Sequence, residues 1–299
     1  MVWIALATVY VVWGSTYLAI AFQVRSLPPL TSAGVRFLVA GAIVVAWLVV
    51  RGRPDALRVT RRELLGAAGI GCLLLVGGNA LVVLAERSVP SGLAALIVAS
   101  VPLWVVLWRR VAGERIPRLS ATGVAVGFSG VLLLVVPRGI AGGTDPLGIV
   151  FAVAAPFCWS AGSFLSRRVS LPRDPLASTG VQMLFAGVLA VCIGLVTDGP
   201  IVPSSFTAES LLALGYLIVF GSVVAFTAYT WLLQHAPVSQ VATYAYVNPV
   251  IALFLGALVL GEPITPLILA GAAIIVVAVA IVVTQEGRAR TARNAEERA

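Results

Sequence analysis

The chain has 299 residues, of which 60% are hydrophobic and only 11% are charged. A soluble domain usually carries about 25% charged residues, so this composition excludes an ordinary soluble core. The net charge of +8 could indicate a nucleic-acid partner, but all 20 basic residues are arginines that lie mainly between apolar runs. We therefore expect no nucleic-acid partner and a chain that is built for the lipid bilayer.

Apolar stretches separated by proline, glycine and arginine predict ten membrane-spanning segments. Each is long enough for a hydrocarbon core roughly 30 Å thick at about 1.5 Å per residue, and none alternates like a barrel strand. The predicted fold class is therefore all-α, a polytopic membrane protein with ten transmembrane helices. In chain order the predicted spans are 2–22, 32–50, 64–84, 91–108, 119–136, 146–166, 175–197, 209–233, 238–260 and 264–284.

The arginines are distributed unevenly between the two sets of loops. The loops of one side, together with the C-terminal tail, hold 16 arginines, the opposite loops hold three, and Arg36 lies within the second span. By the positive-inside rule, the N- and C-termini are predicted to be cytoplasmic. No cleavable signal peptide is expected, because no basic segment precedes the first apolar run. We expect a multi-pass protein of the inner (plasma) membrane in which residues 285–299 form a polar cytoplasmic tail.

An internal repeat becomes visible when the sequence is compared with itself at a separation of 146 residues. Residues 32–41 align with residues 178–187, and six of the ten positions are identical. Each repeat contains five spans, an odd number, so the second repeat must cross the bilayer in the opposite direction. The sequence thus predicts two inverted five-helix repeats, residues 1–137 and 138–284. This architecture is typical of alternating-access transporters with a site near the membrane midplane.

Several short motifs resemble those of a known transporter family. They are Trp13-Gly14-Ser15-Thr16, Arg36, Ser100-Val101-Pro102-Leu103, Asn248-Pro249-Val250 and the two steps Gly113-Glu114 and Gly261-Glu262. In this order and spacing, over residues 2–284, they resemble the EamA-type ten-helix exporters of the drug/metabolite transporter superfamily. The resemblance implies export of amino acids or related small metabolites, with helices of both halves lining a central cavity.

Arg36 is the one charged side chain that the sequence places within a span. A charge inside the bilayer is costly and is by default a functional hypothesis. A guanidinium that faces a cavity could bind a carboxylate or phosphate through two parallel hydrogen bonds. The alternative is an arginine that reaches back to the lipid headgroups or fixes helix ends. Its repeat mate, Gln182, is neutral, and this asymmetry favours a single anion site.

Other polar and aromatic side chains share helix faces that we expect to point inward, because hydroxyl and amide groups facing lipid would lose hydrogen bonds. With Arg36, the predicted substrate-binding residues are Trp13, Tyr17, Asn79, Ser100, Trp159, Ser163, Gln182, Trp231, Tyr244 and Asn248. Their aromatic rings favour a pocket for an apolar or aromatic substrate, and interhelical packing is the alternative for any one residue. Pro102 and Pro249 lie mid-span at equivalent repeat positions and are predicted hinges.

Motifs for catalysis, metal binding and ATP hydrolysis are missing from the sequence. The three cysteines lack metal-site spacing, and neither a GxxxxGK[ST] nor an HExxH motif occurs. We therefore expect no catalytic residue, no cofactor and no bound metal. Acidic residues such as Glu86, Glu114 and Glu262 lie at helix ends or in loops. Facilitated or exchange transport without a proton relay is therefore expected.

The predicted function is secondary transport of a small-molecule substrate across the lipid bilayer by a monomer or weak dimer. An integral-membrane enzyme and a passive channel on the same scaffold remain as alternatives. An enzyme would need a cluster of titratable groups, whereas a channel would need a continuous polar lining. The GxxxG motif at residues 123–127 could form a dimer face, but we expect it to make an internal contact.

Overall fold

The structure, a computed structural model, describes residues 1–114, 116–140, 145–236, 241 and 243–296. The beginning of the predicted span at 238–260 and the end of the predicted tail at 285–299 lie outside the described residues.

All regular structure in these described ranges is helical, and no strand occurs within them. Nine of the described helices are long and apolar enough to cross a membrane, and a shorter apolar helix accompanies them. The helices are α1 (Val2–Gln23), α2 (Pro29–Val50), α3 (Arg61–Ala85), α4 (Ser91–Val111), α5 (Arg118–Ile140), α6 (Pro146–Leu165), α7 (Pro175–Thr197), α8 (Ala208–Leu232), α9 (Tyr244–Leu260) and α10 (Pro266–Glu296). The predicted all-helical fold with about ten membrane helices is therefore confirmed.

Local sequence signals determine where several helices begin. Proline occupies one of the first two positions of α2, α6 and α7, where its missing N–H group costs no helical hydrogen bond. Thr60 and Glu63 form a capping box at the start of α3, and Asp145 and Asp174 cap α6 and α7. α10 continues beyond its apolar part to Glu296, so most of the predicted tail extends this helix.

α2 and α7 pack closely against each other through glycine residues. A Cβ atom at Gly34 would lie 2.8 Å from the carbonyl oxygen of Gly187, and one at Gly41 would lie 3.1 Å from that of Gly180. Residue numbers therefore rise along α2 while they fall along α7, which makes the two helices antiparallel. This crossing is what inverted repeats require of their second helices. The boundary between the repeats stays a prediction.

α5 and α10, the last helices of the two predicted repeats, also form an antiparallel pair. Gly123 faces Val282, whereas Gly130, two turns later, faces Ile275. The GxxxG motif at residues 123–127 therefore makes a contact inside the protein, which confirms that prediction. Small residues allow the helix backbones to approach closely, as is common in membrane helix pairs.

α3 and α8 each contain a π-helical segment near the middle of the helix. The segments are Cys72–Ala80 and Leu217–Val224, which begin 145 residues apart in the two predicted repeats. π-helical segments are uncommon and occur frequently at functional sites. The first segment holds Asn79 and the second holds Ser222, so each contributes a polar side chain to an apolar helix.

α4 is interrupted near its middle. It consists of the pieces Ser91–Val98 and Val101–Val111, which are separated by a two-residue turn. Pro102 lies in the first turn of the second piece, where a proline fits without breaking a hydrogen bond. Pro249, by contrast, lies inside α9, which remains one helix. The two predicted hinge positions thus differ in structure, and motion at either of them stays a prediction.

Gly34→Ala is expected to lower the free energy of unfolding by about 1–3 kcal/mol, the usual cost of overpacking. The added methyl group would lie 2.6 Å from the backbone nitrogen of Val191, which cannot move without displacing α7. Thermal unfolding in detergent micelles measures the effect. Gly69→Ala is the matched control, because nothing lies within 4 Å of its Cβ position. Equal stability of the two variants would contradict the close contact of α2 and α7.

Candidate functional site

A cavity of about 80 Å³ lies at the centre of the helix bundle. Its walls come from α1–α4 and α6–α9, and therefore from both predicted repeats. Pockets for small molecules usually measure about 300–1,000 Å³, so the helices have to move apart to admit a metabolite. Seven predicted substrate-binding residues line this cavity: Trp13, Tyr17, Arg36, Asn79, Trp159, Tyr244 and Asn248.

Arg36 is buried in the wall of the cavity, with only 3% of its surface exposed. Its Nε donates a hydrogen bond to Oγ of Ser222 at 2.9 Å, and its Nη1 donates to Oδ1 of Asn79 at 3.2 Å. The guanidinium carbon also lies 5.2 Å from the centroid of the Phe37 ring. Both hydrogen-bond acceptors belong to π-helical segments, so Arg36 connects α2 with α3 and α8.

The acceptors around Arg36 are uncharged. Within the part of the chain that the structure describes, no carboxylate forms an ion pair with its guanidinium. A buried charge is costly unless an opposite charge is close to it, so this guanidinium favours the approach of an anion. Gly221 leaves space beside it, because a Cβ atom at this position would lie only 3.1 Å from Nη2 of Arg36.

Aromatic rings surround Trp13 at the centre of the molecule. The centroid of the Trp13 ring lies 5.9 Å from that of Trp159 and 5.4 Å from that of Tyr244, and both pairs are edge to face. Phe226 and Tyr229 lie 6.4 Å and 5.0 Å from it. Trp13 and Trp159 occupy equivalent positions in the predicted repeats. The rings offer an apolar surface and electron-rich faces, which suit an apolar group or a cation.

Main-chain oxygens orient two of the residues that line the cavity. Nε1 of Trp13 donates to the carbonyl oxygen of Gly221 at 3.1 Å, within the π-helical segment of α8. The Asn248 amide nitrogen, in the orientation that satisfies its neighbours, lies 3.3 Å from the carbonyl oxygens of Tyr10 and Tyr244. Polar contacts therefore join α1 to both α8 and α9 around the cavity.

Two predicted serines lie away from the cavity. Ser100 donates to the carbonyl oxygen of Ile97 at 2.7 Å, and Ser163 donates to that of Trp159 at 2.8 Å. A short hydroxyl side chain can satisfy its hydrogen bond on the preceding turn of its own helix, so it needs no polar cavity. Neither serine lines the cavity, and a substrate-binding role for them stays a prediction.

Gln182 and Trp231 also lie away from the cavity. Nε2 of Gln182 donates to Oγ of Ser178, one turn earlier in α7, at 2.9 Å. The Trp231 ring stacks on the His235 ring with 4.2 Å between the centroids. Each side chain thus finds its partner one helical turn away. The repeat mate of Arg36 and the polar face predicted for α8 do not contribute to the cavity wall.

The sequence model of the EamA-like transporter family matches residues 1–136 and 146–284. The chain belongs to this family. The resemblance that the sequence motifs indicate is thereby confirmed, and the chain is a transporter with many membrane-spanning helices.

Relatives in bacteria carry transporter names. The "Uncharacterized inner membrane transporter YedA" of Escherichia coli (strain K12) is 38% identical over 93% of this chain and 89% of that protein. The "Probable amino-acid metabolite efflux pump" of Salmonella typhimurium (strain LT2) is 28% identical over 95% of both proteins. A solved structure described as "Crystal structure of protein" shares the fold, with a TM-score of 0.67 at 22% identity over 95% of this chain and 96% of that chain.

Some cavity residues of this EamA-like transporter are not among those predicted from the sequence. They include Thr16, Phe37, Ser222 and Phe226. Regular α-helical spacing predicts that the face of α8 that carries Trp231 points into the cavity. The π-helical segment before Trp231 departs from this spacing, and Ser222 lines the cavity instead. The pair Gly221-Ser222 within an apolar run is the signal that could have located this site.

Acidic residues tie α2 to α7 at both ends of the transporter. At one end, Asp198 accepts hydrogen bonds from the backbone nitrogen of Thr31 at 2.7 Å and from its Oγ1 at 2.9 Å. At the other end, Arg53 forms an ion pair with Asp174. The glycine contacts between these ends complete the pair, so α2 and α7 form one firmly connected unit.

Glu114 connects α4 to α6 at the end of the bundle that is predicted to be cytoplasmic. It forms ion pairs with Arg109 at 2.7 Å and with Arg168 at 2.8 Å. Burial raises the pKa of Glu114, but the hydrogen bonds and charges of the two arginines outweigh this effect. The resulting pKa of Glu114 lies below its ordinary value.

Glu114→Gln is expected to destabilise the transporter at pH 7 but not in acid. Because the pKa of Glu114 is lower in the folded than in the unfolded chain, its contribution is present above the unfolded value, about 4.3, and disappears as the pH falls through the folded value. Thermal unfolding from pH 7 to pH 3 measures the difference from wild type. Asp55→Asn removes an exposed ion pair with Arg58 and should change little. A pH-independent difference for Glu114→Gln would contradict the lowered pKa.

The contact between Arg36 and Asn79 is expected to stabilise the fold. Asn79→Leu should lower the free energy of unfolding by about 1.5–3 kcal/mol, because it leaves Nη1 of the buried guanidinium without its acceptor. In an Arg36→Leu background, the same change should cost much less, since no charged donor remains. Thermal unfolding of the four proteins gives the coupling energy, and equal losses in both backgrounds would show that the contact contributes nothing.

Proposed function

We propose that this chain is a secondary carrier that exports amino acids or related small metabolites across the inner (plasma) membrane. The observation that carries the proposal is the buried guanidinium of Arg36, which lines the cavity and is hydrogen-bonded to uncharged acceptors. A substrate carboxylate would supply the missing negative charge, and arginine can bind it through two parallel hydrogen bonds. The name of the Salmonella relative, "Probable amino-acid metabolite efflux pump", supports the same substrate class.

The aromatic wall of the cavity supports a substrate that has more than a carboxylate. Trp13, Trp159 and Tyr244 lie together in the wall that Arg36 also lines. An amino acid would place its carboxylate at Arg36 and its side chain or ammonium group against these rings. Asn79 and Asn248 add amide groups that can bind the polar atoms between these two ends.

The proposed mechanism is alternating access between residues 1–137 and residues 138–284. A cavity of about 80 Å³ requires the helices to separate before a metabolite can enter or leave. The antiparallel pairs α2–α7 and α5–α10 support two inverted units that open on opposite sides of one site. The arginine distribution supports cytoplasmic termini and a cytoplasmic tail at 285–299. The partners are a small-molecule substrate and the lipid bilayer, for a monomer or weak dimer.

An enzyme and a passive channel fit the same cavity less well. Catalysis needs titratable groups that work together, and those that the described cavity wall offers are Tyr17, Arg36 and Tyr244. They provide no nucleophile with an adjacent base. A channel needs a continuous polar lining, whereas most of the residues around this cavity are apolar. We therefore propose a carrier that acts without catalytic residues, cofactor or metal.

Arg36→Ala is expected to abolish counterflow of a carboxylate substrate while the protein still folds. Purified protein is reconstituted into liposomes that are preloaded with unlabelled amino acids, and uptake of the labelled compound is followed. A carrier shows trans-stimulation, a channel shows none, and an enzyme alters the compound chemically. Arg25→Ala is the control, because the Arg25 side chain is 51% exposed. Wild-type counterflow by Arg36→Ala would remove Arg36 from the site.

Competition with carboxamide analogues tests the assigned contact more sharply. Wild type should prefer the amino acid over its carboxamide by about 10- to 100-fold, as expected for a hydrogen-bonded charge pair. Arg36→Ala should lose this preference, and Arg36→Lys should retain part of it, because lysine provides a point charge without the planar fork. Size-exclusion chromatography establishes that each variant is folded. An unchanged preference in Arg36→Ala would assign the carboxylate to another residue.

A further inference from the structure

Glu86 is a buried acid that the proposed transport mechanism does not use. It follows the last residue of α3 and is only 7% exposed. Both of its carboxylate oxygens are buried, and neither has a hydrogen-bond partner among the described residues. Glu86 lies at a helix end, as the sequence indicates, but its burial removes the reason to expect transport without a proton.

An ionised carboxylate in this position would be strongly disfavoured. A buried charge without an opposite charge or hydrogen-bond donors costs several kcal/mol, and the group normally takes up a proton instead. Burial, and secondly the charge of Glu262, raise the pKa of Glu86 well above its ordinary value. The neutral acid is therefore the form of Glu86 that fits this closed conformation.

Glu262, the second acid at this end of the bundle, has a very different environment. One of its carboxylate oxygens accepts hydrogen bonds from the backbone nitrogen of Ser91 at 2.7 Å and from its Oγ at 2.8 Å. The other oxygen accepts from the backbone nitrogen of Gly92 at 3.0 Å. Glu262 therefore accepts three hydrogen bonds at the start of α4. Of the two acids, Glu86 is the one whose carboxylate oxygens have no hydrogen-bond partner among the described residues.

Tyr17 is a cavity residue that interacts electrostatically with Glu86. The hydroxyl group of Tyr17 on α1 is close enough to interact electrostatically with the Glu86 carboxylate, and the residue itself lines the cavity. The titratable groups that reach Glu86 from the packed elements are thus Tyr17 of α1 and Glu262 of the segment between α9 and α10. Both are acids, so no cation from these elements offsets a negative charge on Glu86.

We propose that Glu86 is a proton-binding site that couples transport to proton movement. The closed conformation holds Glu86 as the neutral acid. When the bundle opens and water reaches the site, the carboxyl O–H bond breaks, the proton passes to water, and the carboxylate becomes hydrated. Closure requires a proton to bind again. The coupling rests on the proposed carrier function, whereas protonation of Glu86 does not.

Protonation is tested first, without any substrate. Infrared difference spectra of wild type and Glu86→Gln in detergent at pH 7 should show that the variant lacks a protonated carboxyl stretch. Glu209→Gln is the matched control, since Glu209 has a 70% exposed side chain near the same end of the bundle. A spectrum in which Glu86→Gln removes only carboxylate bands would overturn the proposal.

The pH dependence of unfolding gives a second readout of the same site. A raised pKa in the folded state means that Glu86 ionises first in the unfolded chain, so the contribution of Glu86 to the stability of wild type falls as the pH rises above about 4.3. Glu86→Gln removes this loss, and its melting temperature should exceed that of wild type increasingly from pH 6 to pH 9. A difference that is constant over this range would contradict a neutral Glu86.

Coupling is then tested in proteoliposomes. Under equal pH on both sides, Glu86→Gln should retain counterflow within about twofold of wild type, because it mimics the neutral acid. An imposed pH gradient should accelerate counterflow by wild type and by Glu209→Gln, but not by Glu86→Gln. Substrate-dependent proton flux should be absent from Glu86→Gln. Acceleration that persists in Glu86→Gln would overturn the coupling. Failure of wild-type counterflow would instead overturn the carrier function, and the infrared result would still decide the protonation of Glu86.

Discussion

A guanidinium buried in an apolar helix bundle needs hydrogen-bond acceptors from side chains, because the carbonyl groups of regular helices are already paired. The transporter meets this requirement with side chains from two irregular helices. Asn79 and Ser222 lie in the π-helical segments of α3 and α8, and both accept hydrogen bonds from Arg36. The same contacts hold α3 and α8 beside α2, so the charge and the walls of the cavity depend on one another.

The helices around this charge divide into a firmly connected pair and more adaptable neighbours. α2 and α7 are joined by glycine contacts along their crossing, by Asp198 at one end and by the pair of Arg53 and Asp174 at the other. α4 is broken and α8 is partly π-helical. A carrier that opens around a fixed Arg36 would therefore keep α2 and α7 together and move the irregular helices.

Much of the fold follows from the sequence, because helices in lipid need long apolar runs and the runs here are clearly separated. Arg36 and Asn79 could also be predicted, because a charged or amide side chain within such a run almost always faces the interior of the bundle. Ser222 could not, because the spacing rule assumes regular α-helical turns and α8 departs from them. The same reasoning predicts Ser100 and Ser163 as site residues, but their hydroxyl groups donate to carbonyl oxygens of the preceding turn. The burial of Glu86 depends on tertiary packing that local spacing does not encode.

The interrupted α4 and the continuous α9 occupy matching places in the two predicted repeats, although each carries a proline. In an alternating-access cycle, such helices exchange roles when the protein changes from one open state to the other. Two perfectly equivalent halves would give both open states the same free energy in a symmetric membrane. α4 has a break beside its proline, whereas the described helix Tyr244–Leu260 has none around Pro249, so under the proposed alternating-access mechanism the two open states would differ in energy. Such a carrier would favour one side of the membrane at rest, even when no solute gradient is present.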